Sequence, residues 1–170
     1  MESDNLFSNT FNVKSNAPLA DKLRPKNLDE FFGQESILGH NSLLRNAILN
    51  DKVGNIIFSG PPGVGKTTLI EIISSNTRSS LIKLNAVLSS IKELRTEIAN
   101  AKERLRSSNR KTILFIDEVH RFTSIQQDAL LPSIENGTIT FIGATTENPV
   151  FSVNKAVSYT HLTLPTTPYV

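Results

Sequence analysis

The stretch that decides the fold is NIIFSGPPGVGKTTLIEIISSNT, which runs from Asn55 to Thr77. Its apolar start predicts a strand over Asn55–Ser59, because the run stops at glycine and proline. The part that begins at Lys66 predicts a helix over Lys66–Thr77. The turn between them, Gly60–Thr67, fits the pattern G-x-x-x-x-G-K-[ST], which is specific when a strand precedes it and a helix follows it.

This turn has the chemistry of a phosphate-binding loop. Its glycines let successive amide hydrogens point at one anion, and the helix that follows adds its positive end. We therefore predict ATP as the ligand, with Lys66 at the terminal phosphates and the Thr67 hydroxyl as a ligand of Mg²⁺. The predicted nucleotide-binding residues here are Gly60, Pro61, Pro62, Gly63, Val64, Gly65, Lys66, Thr67 and Thr68. Packing at the helix start also explains Thr68, and the alternative for the whole loop is a Gly-Pro turn before an ordinary helix.

Two carboxylates follow a second apolar run, TILFIDEVHR, from Thr112 to Arg121. The run predicts a strand that delivers Asp117 and Glu118 to the carboxyl edge of a parallel sheet, where ligands bind. We expect Asp117 to hold the hydrated Mg²⁺ and Glu118 to polarise the water that attacks the γ-phosphate. His120 is interpreted as a hydrogen-bonded histidine in a turn rather than as a catalytic residue.

A third polar signal ends the run TITFIGATTEN, from Thr138 to Asn148. The strand predicted there would place Thr145 or Thr146 beside the acidic pair, where a hydroxyl positions the attacking water or contacts the γ-phosphate. The spacing does not choose between the two threonines. The alternative is a simple strand-end cap.

The fold class follows from the order of these segments. Strands are predicted over Asn55–Ser59, Ser80–Leu84, Thr112–Ile116 and Thr138–Ile142, with helices over Lys66–Thr77 and Ser89–Ser108 and a helical stripe after Asn41. Alternating strands and helices with wholly apolar strands predict an α/β fold, an αβα sandwich around a parallel sheet. Residues 1–17 are polar and predict a flexible leader, so the core is expected to span residues 18–156.

The amino-acid composition excludes several classes of protein and of site. The chain has 170 residues and no cysteine, which excludes disulfides and cysteine-ligated zinc within it. No apolar run reaches the roughly 20 residues that span a bilayer, so no membrane partner and a cytoplasmic location, or a nuclear one in a eukaryote, are expected. The formal net charge of +2 is too small to argue for nucleic acid.

The amino-acid sequences of three segments are more specific than these motifs. "PLADKLRPKNLDEFFGQ", "DEVHRF" and "QQDALLPSIENGTITFIGATTENP" resemble the replication-associated recombination protein A family of AAA+ ATPases, also called MgsA, whose eukaryotic relatives include the Werner helicase interacting protein. The resemblance implies a DNA-dependent ATPase of stalled replication forks and gaps, assembled as a homo-oligomer and working with replication proteins. It also implies that residues around Leu23 to Gln34 line the adenine site, with Arg24, Pro25, Gly33 and Gln34 as its named residues.

The chain departs from that family near its end. The family continues through a Ser-Arg segment that supplies an arginine finger, then a fifth strand and a helical lid. Val157–Thr166, VSYTHLTLPT, instead resembles one reading frame of a transposase-end sequencing adapter. We therefore expect residues 157–170 to be non-biological, the fifth strand and lid to be missing, hydrolysis by this fragment to be weak, and the Asn55–Ser59 strand to stand at an open sheet edge. A genuine β-rich tail is the alternative.

Other functions stay open at this point. A P-loop small-molecule kinase would need an acceptor pocket, and the Asp117–Glu118 pair argues against it. A noncatalytic module that uses nucleotide to order a protein-binding surface is the third possibility. The basic residues Arg104, Arg106, Arg110 and Lys111 are accompanied by Glu93, Glu97 and Glu103, which predicts a solvated face rather than a DNA site.

Overall fold

The computed structural model of the chain describes residues 18–149, 153 and 162–165. The strands are β1 (Ile56–Ser59), β2 (Ser80–Asn85), β3 (Thr112–Asp117), β4 (Ile139–Thr145) and β5 (Leu162–Pro165). They form one sheet in the order β2-β3-β4-β1-β5, and every neighbouring pair is parallel. The helices are α1 (Leu19–Lys22), α2 (Glu35–Leu38), α3 (Leu43–Leu49), α4 (Lys66–Asn76), α5 (Ile91–Ser108) and α6 (Ser124–Glu135).

The sheet is covered by apolar side chains on both faces. Phe58 of β1 belongs to a buried cluster with Ile70 of α4, whereas its neighbour Ile57 belongs to a second cluster with Leu94 of α5 and Leu130 of α6. Successive residues of a strand point to opposite faces, so a strand with a core on each side must be apolar throughout. The carboxyl ends of β1, β3 and β4 consequently meet at one edge, where the loops carry the polar residues.

The predicted elements are present, with ends that shift by a few residues. All four predicted strands form and pair in parallel, so the fold class is confirmed. Helix α5 begins at Ile91 because the Ser90 side chain accepts a hydrogen bond from the amide of Glu93. Helix α6 was not predicted, although Thr123 and Gln126 form a capping box at its start. No helix in the described part of the chain is long and apolar enough to cross a membrane.

One expectation about the sheet is wrong: β1 does not stand at an open edge. The backbone of Leu162–Pro165 pairs with β1 in parallel, in a register that places Ile56 opposite Leu162. Without a partner, the backbone groups on that side of β1 would be open to pairing with another extended segment. The strand ends at Pro165, which has no amide hydrogen to donate. The predicted leader lies outside the described residues, and the predicted boundary after residue 156 stays a prediction.

Candidate active site

The loop between β1 and α4 has a backbone that only glycine adopts readily. Gly63 and Gly65 have φ angles of +82° and +92°. A β-carbon on Gly63 would meet nothing within 4 Å, whereas one on Gly65 would lie 2.7 Å from the Phe31 ring. Gly65 therefore meets two requirements, a left-handed backbone and close contact with an aromatic ring. Phe31 thus fixes the loop from the side of the segment that precedes α2.

The side chain of Lys66, the first residue of α4, folds back onto the loop that precedes the helix. Its Nζ donates to the carbonyl oxygens of Gly60 and Pro61 at 2.7 and 2.8 Å. Burial lowers the pKa of Lys66 from its ordinary value, and the negative charges of Glu118 and Asp117 oppose this shift. The loop therefore holds the Lys66 ammonium group within reach of the charges of the acidic pair.

The acidic pair follows β3 in a tight turn. Glu118 has a φ angle of +53°, which is unusual for a residue other than glycine. Its amide donates to Asp117 Oδ1 at 3.1 Å, and its carbonyl accepts from the amide of Arg121 at 2.8 Å. A left-handed residue reverses the chain directly after the strand, so the two carboxylates do not continue the alternation of β3.

The two threonines at the end of β4 have different surroundings. Thr145 is fully buried, and its hydroxyl accepts from the amide of Glu147 at 3.0 Å and contacts His120 Nδ1 at 2.9 Å. Thr146 is exposed, and its hydroxyl donates to Glu118 Oε2 at 3.3 Å. Only Thr146 therefore presents a hydroxyl toward the acidic pair from the open side of the sheet edge.

Two adjoining clefts contain most of the predicted residues. The first, of about 620 Å³, is lined by Leu23, Arg24, Pro25, Pro62, Gly63, Gly65, Lys66, Thr67, Thr68, Asp117, Glu118 and Thr146. The second, of about 740 Å³, is lined by Pro25, Phe31, Phe32, Gly33, Gln34, Glu35, Ser36, Gly63, Val64, Gly65 and Thr68. Lys66, Asp117 and Glu118 line the first cleft, and the aromatic rings of Phe31 and Phe32 line the second. This division matches a molecule with a phosphate chain at one end and a flat ring at the other.

The first cleft also has the oxygen donors that a magnesium ion prefers. The Thr67 hydroxyl and the Asp117 carboxylate line the same cleft as Lys66. Mg²⁺ is usually held by one or two protein oxygens together with phosphates and water, so two donors are enough. No group of three or more histidine or carboxylate side chains that could hold a metal ion occurs among the described residues.

The structure brings the sequence-predicted residues together with few exceptions. Gly60 and Pro61 contribute carbonyl oxygens to Lys66 instead of lining a cleft, and Thr145 lies behind the cleft wall. The sequence did not single out Phe31 within the segment Leu23–Gln34, nor did it identify the contact of Glu118 with His120. The pair of adjacent phenylalanines in "DEFFGQ" is the signal for the first. Nothing in the sequence marks the second.

Comparisons with known proteins agree with this geometry. Residues 23–160 match the family described as the Holliday junction DNA helicase RuvB P-loop domain. The chain is 50% identical over 151 residues to Replication-associated recombination protein A of Haemophilus influenzae, covering 89% of this chain and 34% of that protein. It is 44% identical over 151 residues to ATPase WRNIP1 of Dictyostelium discoideum, covering 89% of this chain and 17% of that protein.

A solved structure of the Thermotoga maritima RuvB Holliday junction branch migration motor has the same fold. It superposes with a TM-score of 0.66 at 30% identity, covering 84% of this chain and 48% of that one. The chain therefore spans about a third or less of the two relatives' lengths and about half of the solved chain.

Proposed function

This chain belongs to the family of the RuvB P-loop domain, and on that premise we propose that it binds ATP with Mg²⁺ and hydrolyses it to drive a protein of DNA replication and recombination. The proposal is supported above all by one contact of Glu118 inside the first cleft. Glu118 Oε2 lies 3.3 Å from the Thr146 hydroxyl in the cleft that also contains Lys66. A carboxylate held by a hydroxyl beside a phosphate-binding lysine is suited to polarising water.

Binding rests on the loop and its lysine. The amides of Gly60–Thr67 and the start of α4 surround the phosphates, and Lys66 moves from its contacts with Gly60 and Pro61 to the terminal phosphates. Thr67 and Asp117 would hold Mg²⁺, which neutralises phosphate charge. The cleft lined by Phe31, Gly33 and Gln34 takes the adenine; Pro25 lines both clefts, and Arg24 lines the first.

Hydrolysis rests on Glu118 and Thr146. The Glu118 carboxylate accepts a proton from the attacking water and orients it along the line of the scissile bond. The Thr146 hydroxyl contacts this carboxylate in the cleft of Lys66, which supports Thr146 rather than Thr145 as the threonine that contacts the γ-phosphate. Thr145, buried and bonded to Glu147 and His120, supports the end of β4.

The complete gene product is proposed to form a homo-oligomer. Its proposed partners are DNA and replication proteins. The names of the relatives support DNA as the partner. The basic residues in and just after α5 do not, because Arg104 lies 3.8 Å from Glu97 and Arg110 Nε donates to the carbonyl of Arg78. A cytoplasmic location is likewise a prediction.

The test is the stoichiometry of product formation in the complete gene product. Hydrolysis releases one inorganic phosphate for each ADP, and we expect forked DNA to raise both rates together. A small-molecule kinase would produce ADP without inorganic phosphate. A noncatalytic binding module would bind ATP and produce neither. Either of the last two results would overturn the proposal.

A further inference from the structure

The role proposed for Glu118 in ATP hydrolysis does not explain the buried position of His120. Its side chain is only 5% exposed, although it belongs to the short 3₁₀ helix Val119–Arg121 at the edge of the sheet. Its Nδ1 lies 3.3 Å from Glu118 Oε2 and 2.9 Å from Thr145 Oγ1. The ring therefore joins the turn after β3 to the end of β4, the two segments that carry the catalytic carboxylate and the phosphate-side threonine.

The carboxylate beside Nδ1 favours a proton on that ring nitrogen. A carboxylate only accepts hydrogen bonds, so an unprotonated Nδ1 would place two lone pairs against each other. A proton on Nδ1 removes this repulsion, and it faces both Thr145 Oγ1 at 2.9 Å and Glu118 Oε2 at 3.3 Å. At the other side of the ring, Nε2 lies 3.6 Å from Glu147 Oε1. The charged groups that face the ring are thus Glu118 and Glu147.

We propose that His120 is a positioning residue that holds the Glu118 carboxylate in the orientation needed to polarise water. Glu118 Oε2 has two contacts, with the Thr146 hydroxyl from the open side and with His120 Nδ1 from the buried side. Thr146 is exposed, whereas the His120 ring is buried. The contact with His120 is therefore the one that holds the carboxylate in a fixed position. This proposal rests on the proposed function, since it names what orients the base of that reaction.

The arrangement has a consequence for the kinetics. His120 does not line the two clefts assigned to the nucleotide, so its replacement leaves ATP affinity in place. A catalytic group displaced by about 1 Å can cost ~10²-fold in rate. Loss of the Nδ1 donor is therefore expected to lower kcat by about 10- to 100-fold with the Kd for ATP unchanged within about threefold.

Two substitutions separate hydrogen bonding from packing. His120→Phe keeps the ring and removes the donor, whereas His120→Asn loses the ring and places an amide donor near the position of Nδ1. Positioning predicts that His120→Phe is slow and that His120→Asn is restored to within about threefold of the unsubstituted protein. A packing role predicts the reverse order. His40→Phe, the same change at an exposed histidine outside these clefts, is the matched control and should leave kcat unchanged.

The assay measures kcat and ATP affinity for the complete gene product and its variants, with thermal unfolding to check that each variant folds. Equal kcat for His120→Phe and the unsubstituted protein would overturn the positioning role while ATP hydrolysis stands. Absence of ATP binding and hydrolysis in the unsubstituted protein would overturn the proposed function itself. Should neither variant fold, nitrogen NMR of the unsubstituted protein decides: a proton on Nδ1 supports the proposal, and an Nε2–H tautomer with bare Nδ1 refutes it.

Discussion

Alanine substitutions at Gly63 and Gly65 should have unequal costs, because only one of these glycines contacts Phe31. Both have positive φ angles, so an alanine at either site costs about 1–2 kcal/mol in backbone conformation. At Gly65 the new β-carbon would also lie 2.7 Å from the Phe31 ring. Overpacking of this kind costs about 1–3 kcal/mol. The expected losses of unfolding free energy are therefore about 1–2 kcal/mol for Gly63→Ala and about 2–5 kcal/mol for Gly65→Ala.

Thermal unfolding without nucleotide measures this difference, since phosphate contacts then make no contribution. For a chain of this size each kcal/mol lowers the Tm by about 2–4 °C. Adding Phe31→Ala removes the ring that the Gly65→Ala methyl group meets, so the double variant should lose less than the sum of the two single losses. Phe31→Ala with Gly63→Ala should be additive within about 0.5 kcal/mol. Equal losses for the two glycine variants, or additivity in both pairs, would refute the assigned role of Phe31.

Two further predictions concern Lys66 and the sheet edge. Because burial lowers the pKa of Lys66, its charge is lost at a lower pH than in a free lysine, so ATP affinity should start to fall with rising pH earlier than a free lysine would predict. Titrations with Lys66→Arg, whose charge persists above about pH 12, should remain flat over the same range; a parallel fall would exclude Lys66 as the cause. Deletion of residues 157–170 removes the partner of Ile56–Ser59 and should produce concentration-dependent association. Light scattering that shows a monodisperse chain with an unchanged Tm would contradict it.

The parts of the fold that were predicted correctly have local causes. The strand before Gly60 and the helix after Lys66 are fixed by apolar runs and by the glycine pattern between them, and the burial of Ile57 and Phe58 follows from a strand covered on both faces. Helix α6 was not predicted; its Pro132 argues against a helix in the sequence, yet this proline lies in the last turn and removes only one amide donor. Pairing of Leu162 with Ile56 depends on backbone groups and has no residue pattern of its own.

The predictions about the site divide in the same way, between local patterns in the sequence and contacts that depend on packing. Lys66, Thr67 and the acidic pair were predicted because their spacing along the chain carries the chemistry. The different roles of Thr145 and Thr146 were not, since adjacent residues at a strand end point to opposite faces and only the packing decides which face is open. The contact between His120 and Thr145 joins residues 25 positions apart, so no local pattern predicts it.

The measurement that tests the account most directly compares ATP binding and turnover in Glu118→Gln and Lys66→Ala. Glutamine keeps the shape of Glu118 but does not accept a proton from water. Glu118→Gln should therefore bind ATP within about threefold of the unsubstituted protein and lose at least about 10²-fold in turnover. Lys66→Ala should lose ATP binding itself. Undiminished turnover in Glu118→Gln, or undiminished ATP affinity in Lys66→Ala, would contradict the assignment of this site.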